Sequence, residues 1–300
     1  MNRASETKAI LGATLGHFFW GISFLASRTA LNTAPVLVLL SHRFLLAFLV
    51  MSLLLPTRLA DFHLKGKSIL PLLLLGLLEP VIYFFGEQYG ILHSTTIFSG
   101  VMISIIPIFS ILAAVPVLHE KPTVGQLLFS ALSVGGVIGI GLLSRNSGAL
   151  DGIGVAALLV AVFSAVAYTL LNRDISTRYS PFERTYVMMG TGAVIFTLLA
   201  AVTVRGSMAA YLRPLGDPSY LISVLFLALC CSVVSYFLSS YVLTKLTVAR
   251  ATVFANLTTA VSVFAGAVLL HEPFSLFGFF CCVLILVGIY GVQRTARRGE

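Results

Sequence analysis

Residues 101–120 read VMISIIPIFSILAAVPVLHE, eighteen residues without an ionisable side chain and then His119 and Glu120. Residues 253–272 read VFANLTTAVSVFAGAVLLHE and close on the same Leu-His-Glu turn, 152 positions later. A helix needs about 20 mainly apolar residues to cross the roughly 30 Å hydrocarbon layer of a bilayer, and both stretches have that length. The rest of the chain has the same character: 58% of its 300 residues are hydrophobic and 10% charged, against roughly a quarter charged in soluble domains. A soluble fold covers its surface with Lys, Glu, Asp and Arg, whereas a chain dissolved in lipid needs them only where loops meet water. The bilayer is therefore the solvent.

Ten segments qualify as spans, at 9–27, 34–55, 68–89, 94–118, 124–143, 152–171, 183–204, 219–243, 248–270 and 274–292. The links carry breakers such as Pro35, Pro56, Lys121-Pro122, Ser180-Pro181 and Pro218, and their shortness makes successive helices antiparallel neighbours. Only 56–67 and 205–218 are long enough for a small interfacial helix. Ala9 to Ser27 is long enough to span and no A-x-A-like cleavage site follows it, so it reads as a retained first helix rather than a signal peptide.

The net charge of +8 would point to nucleic acid in a soluble protein. Here the cations stand singly in short loops, and no nucleic-acid partner is expected. Their distribution instead sets orientation, because cytoplasmic loops retain Lys and Arg. With the N-terminus inside, 13 cations fall on the cytoplasmic side and four, Arg28, Arg145, Arg205 and Arg213, on the other. Both termini are accordingly expected in the cytoplasm, with the chain in a plasma membrane of bacterial inner-membrane type. Cys230-Cys231 and Cys281-Cys282 are adjacent pairs inside apolar segments and fit neither a disulfide framework nor a C-x-x-C site. No metal or cofactor is expected.

The shift of 152 also superposes Phe85 on Phe237, Tyr89 on Tyr241, Thr95 on Thr247, Val101 on Val253, and Gly136 and Gly139 on Gly288 and Gly291. Each copy holds five spans, an odd number, so the second enters the membrane from the opposite face. Charge agrees: Lys121 maps onto Pro273 and Lys245 onto His93, so the cation follows the side and not the repeat position. The expected architecture is all-α and integral to the membrane, ten transmembrane helices in two inverted five-helix repeats at 9–145 and 150–292. Inverted repeats suit a carrier, since two similar halves can pack in two nearly equivalent ways around a central site.

Trp20-Gly21 in the first helix, Pro35 and Arg43 after it, and the two Leu-His-Glu turns before glycine-bearing helices resemble the drug/metabolite transporter superfamily, in its EamA-type branch. The resemblance covers nearly the whole chain. It implies export of amino acids, other metabolites or toxic organics, with helices one to four and six to nine around a central cavity and helices five and ten peripheral. Small multidrug exporters, more distant relatives, carry a proton-coupling Glu in the first helix; this chain has His17 there and no acid.

Ionisable groups at membrane depth usually face a cavity or one another. Glu79, Tyr83 and Glu87 recur every four residues on nearly one helix face. Glu79 is the candidate for cavity lining and proton coupling, or else a structural partner for Arg43, and Glu87 reads as interfacial. His17, Trp20, Phe24 and Ser27 form one stripe, in which His17 is a second coupling candidate or a histidine bonded to a neighbouring helix. Trp20, Tyr83, Tyr168 and Tyr236 offer flat amphipathic faces to an organic solute. Ser99 and Asn256 complete the candidate polar lining, with interhelical hydrogen bonding as the competing role. Arg43 is placed as a structural residue that snorkels to a short loop, with anion binding as the competing role, and Glu120 and Glu272 are placed as structural too. Glycines spaced by four, as at Gly12 and Gly16 or Gly86 and Gly90, allow close helix packing and a homodimer.

A membrane-embedded enzyme and a passive channel are the competing functions. His119-Glu120 and His271-Glu272 lack the second His of a zinc-protease motif, with Thr123 and Ser275 in its place. No G-x-S-x-G or P-loop is present. The expected partners are therefore a small-molecule solute and the lipid bilayer.

Overall fold

The computed structural model describes residues 3–57, 60–93, 102–103, 105–143, 152–269 and 276–296, and these are helical apart from their connections. In the first half, α1 (Arg3–Leu31) and α2 (Val36–Leu54) are followed by a broken span made of α3 (Leu70–Gly76) and α4 (Tyr83–Leu92), then by α5 (Ile106–Leu118) and α6 (Val124–Leu143). In the second half, α7 (Gly152–Asp174), α8 (Pro181–Thr203) and the short α9 (Met208–Leu212) precede a second broken span, α10 (Pro218–Phe226) and α11 (Ser235–Lys245). The chain then forms α12 (Val248–Thr252), α13 (Ala255–Leu269) and α14 (Leu276–Ala296). Among the described residues, seven helices are long and apolar enough to cross a membrane, and α5 and the Val124–Gly139 part of α6 are shorter apolar helices. The chain is an all-helical integral membrane protein. Of the two interfacial helices considered possible, α9 occupies 205–218, and the described residues of 56–67 form turns.

The first broken span has its cause in Pro80. Pro80 lacks an amide N–H and its ring collides with the carbonyl four residues back; it also drives the preceding residue out of the helical region, and Glu79 has φ −144° and ψ 117°. The chain crosses the break in a wide π-type turn, Leu77–Ile82, and the second break spans Leu227–Val234, the same register plus 152 to within two residues. Carbonyls freed inside a bilayer must find donors. Ser164 of α7 donates to the Leu78 carbonyl (2.7 Å), and Trp20 of α1 donates from Nε1 to the Cys231 carbonyl (2.9 Å).

Corresponding helices of the two halves meet antiparallel. In α6 and α14, Gly125 lies against Thr295 while Gly136 lies against Cys281 and Ile285, and Ser133 donates to the carbonyl of Ile285, its own counterpart (3.3 Å). In α2 and α8, Phe44 stacks on its counterpart Phe196 (5.5 Å between centroids), and Ser52 near the end of α2 bonds Tyr186 near the start of α8. Around these two pairs the remaining helices gather into two bundles. One joins α3, α4 and α5 to α7; the other joins α10, α11 and α13 to α1. Exchanging the halves turns one bundle into the other.

The close approach of α6 and α14 requires glycine at both ends of the contact. A Cβ on Gly288 would stand 2.7 Å from the Phe129 carbonyl oxygen and 2.6 Å from the Ser133 Cβ, so backbone would have to move. Gly288→Val is expected to cost about 1–3 kcal/mol, the usual penalty of overpacking. A thermal midpoint in detergent that does not fall would remove this contact from the account.

The chain ends share one face, here called the terminal face: Glu6 at the start of α1 and Gln293 near the end of α14 both bond Arg250. At the distal face Asp217 accepts from Thr33 (2.8 Å) and from the Ser219 amide (2.9 Å). The Thr33 bond, followed by the Ser219 bond, holds the Asp217 carboxyl below the usual carboxylate range. This link is present above that range and weakens as pH falls through the lowered value.

Candidate functional site

The two bundles meet at mid-depth on the broken spans. From one bundle come Glu79 and Tyr83, at the first break, and Tyr168 of α7; from the other come Tyr236, next to the second break, and Trp20 of α1. Tyr236 donates its hydroxyl to Glu79 Oε1 across the junction (2.8 Å), and both are buried. Trp20 meets Tyr236 edge-on at 5.3 Å and Tyr168 meets it edge-on at 6.4 Å. Four aromatic candidates and the principal acid candidate thus belong to one cluster.

Glu87 is buried inside this cluster rather than interfacial, accepting from the Tyr83 hydroxyl (2.9 Å) and from Gln88 (3.4 Å). The break at Pro80 rotates α4 relative to α3 and turns its Tyr83–Glu87 face inward. Arg43 does not snorkel. It is 4% exposed, its Nε donates to Ser232 Oγ (2.8 Å), and its guanidinium lies over the rings of Phe84 (4.8 Å) and Phe44 (5.2 Å).

Other candidates lie elsewhere. His17 sits on the seam between α1 and α13, 3.3 Å from Thr258 Oγ1 and 4.9 Å from the Trp20 ring, so it adjoins the cluster through Trp20 alone. Asn256 is buried away from it and donates to Ser133 Oγ of α6 (3.1 Å), in the interhelical role weighed against solute contact. Ser99 and Glu272 lie outside the described residues. Glu120 accepts from Arg173 Nε (3.0 Å) and from the Val248 amide (2.7 Å), while Arg173 also donates to the Leu243 carbonyl (2.7 Å). The Glu120–Val248 and Arg173–Leu243 bonds tie the two bundles together at the terminal face, while Glu120–Arg173 joins the end of α5 to α7 within one of them. The Gly86 and Gly90 face is occupied by α7 of the same chain.

A narrow cleft on the distal side, between α1, α2, α4 and the start of the second break, encloses only about 10 Å³, room for about one water. Ser27 and Leu31, Leu39 and Leu40, and Gln88 line it, and Arg43 stands in its wall.

The EamA-like transporter family matches residues 7–142 and again residues 152–294. The chain belongs to the EamA-like transporter family. Among its relatives, Uncharacterized transporter YcxC of Bacillus subtilis (strain 168) is 30% identical over 97% of this chain and 94% of its own length. An uncharacterized transporter of Archaeoglobus fulgidus is 26% identical over 92% and 95%. A solved crystal structure matches at TM-score 0.80 over 100% of both chains with 17% identity, which speaks for the fold alone. This EamA-like chain is a multi-pass membrane transporter.

Three features of the cluster lay beyond sequence reasoning: the burial of Glu87, Ser232 as the partner of Arg43, and Arg184. Arg184 is fully buried and donates to the Asn172 carbonyl and side chain and to the Ser240 carbonyl (2.7 Å). Only its position just after Ser180-Pro181, at a helix start, was visible in advance.

Proposed function

We propose that the chain is a secondary carrier that exports small organic solutes, with amino acids or related metabolites first, across the cytoplasmic membrane by alternating access. The observation that carries this reading is the Glu79–Tyr236 bond between two bundles of antiparallel, exchangeable design. Two such bundles can rock about a shared centre and close at one face while opening at the other. The two bundles, each built from helices of both repeats at 9–145 and 150–292, are the moving pair, and the termini face the cytoplasm as the Lys and Arg count indicates. In that orientation the Glu120–Val248 and Arg173–Leu243 bonds close the cytoplasmic side and the cleft opens outward. Trp20, Tyr83, Tyr168 and Tyr236 supply apolar contact, and Glu79 supplies the charge that a coupled proton or a solute amine would meet.

The test is counterflow in vesicles, preceded by an export screen in cells with toxic amino-acid analogues, nucleosides and cationic drugs. A carrier preloaded with unlabelled solute accelerates uptake of the labelled one. Uptake that proceeds at the same rate with and without preloading would mark a pore and overturn the reading.

A further inference from the structure

Among the described residues, four arginines are buried or half-buried among the helices, and three have their guanidinium donors engaged. Arg184 gives its donors to backbone and Asn172 oxygens, Arg250 to Glu6 and Gln293, and Arg173 to Glu120 and the Leu243 carbonyl. Arg43 differs. Its Nε is bonded to Ser232, but its two terminal amino groups make no hydrogen bond among the described residues, and no carboxylate there forms an ion pair with it. Donors left without acceptors at membrane depth are costly and face a wet cavity or a partner. The Arg43 side chain lines the distal cleft, where its plane is held by the Phe84 and Phe44 rings.

We infer that Arg43 is the point at which the carried solute is recognised, and that the solute bears a carboxylate. This rests on the carrier reading above and deepens it. A guanidinium fork fixed at Nε presents its remaining N–H groups in one plane, the geometry that a carboxylate accepts in pairs. Glu79 and Glu87 both interact electrostatically with Arg43, so the cluster balances its charge and leaves its terminal N–H groups as the open recognition element. Gln88 in the cleft wall offers a further polar contact, and Leu39, Leu40 and Leu227 form the apolar part of that wall.

The experiment pairs acids with their amides: L-phenylalanine with L-phenylalaninamide, L-leucine with L-leucinamide, and benzoate with benzamide. Each is tested for thermal stabilisation of the purified full chain and for protection of Ser27→Cys in the cleft against a maleimide. At least one acid is expected to act at ten-fold or more lower concentration than its amide. Arg43→Gln should erase that preference and Arg43→Lys should restore part of it. The comparison on the wild-type chain needs no variant and stands even if Arg43→Gln does not fold. If no acid outperforms its amide, or if Arg43→Gln keeps the preference, the inference is overturned. Counterflow of amides and acids at equal rates overturns it while leaving the carrier intact, whereas carboxylate binding without any counterflow keeps the site and removes the carrier.

Discussion

Glu79→Gln is expected to cut solute flux about ten-fold or more, equivalent to roughly 1.4 kcal/mol on the rate-limiting step, without reducing the folded protein in the membrane. Glutamine has the size of glutamate and retains a carbonyl oxygen to accept the Tyr236 hydroxyl, now 2.8 Å away, so the junction between the bundles can still form. What disappears is the charge and the exchangeable proton at the point where the bundles meet. Arg43, Glu87, Tyr83, Tyr168 and Tyr236 are the charged or titratable neighbours of Glu79, and all are retained in the variant. The measurement is flux against pH for both proteins at matched expression. Unchanged flux with an unchanged pH profile would make Glu79 a structural residue.

Arg184→Leu is expected to lower the thermal midpoint and to reduce the yield of folded protein several-fold. The guanidinium joins three helices, bonding the Asn172 carbonyl of α7 at 2.8 Å and the Ser240 carbonyl of α11 at 2.7 Å from its place in α8. Leucine fills part of the volume but leaves the Asn172 and Ser240 oxygens without donors, and each buried unsatisfied group costs about 1–3 kcal/mol. A total near 3 kcal/mol is a large share of the roughly 5–15 kcal/mol that typically stabilises a fold. Arg184→Lys keeps one charge and three donors and should lose less. Detergent-solubilised protein followed by size-exclusion and thermal unfolding reads both; a leucine variant as stable as the parent would contradict the role.

The fold was legible in the chain because lipid makes apolar length a direct signal, and because the repeat recurs in unbroken register from Phe85 on Phe237 to Gly139 on Gly291. The same shift anticipates contacts, since Ser133 meets Ile285 and Phe44 meets Phe196, residues 152 apart. The site was legible in part. Glu79, Tyr83, Trp20, Tyr168 and Tyr236 share the cluster, because a bulky polar ring or an acid at mid-span has few other places to go. Helical spacing failed at Glu87, where the turn at Pro80 re-aims everything after it, and at Arg43, whose partner Ser232 lies 189 positions away. Asn256 could not be sorted by type, since an amide that binds a solute and one that bonds a neighbouring helix look alike in one dimension.

The most direct test of the alternating carrier is a reversible lock on the terminal face. Glu120→Cys and Thr247→Cys place thiols on opposite bundles beside the Glu120–Val248 bond, where a short reducible bis-thiol reagent can bridge them. With the lock closed, counterflow of a solute identified by the export screen should fall at least ten-fold and return on reduction. Counterflow that continues while the two bundles are held together would show that solute passes without the rocking motion, and the account would be wrong.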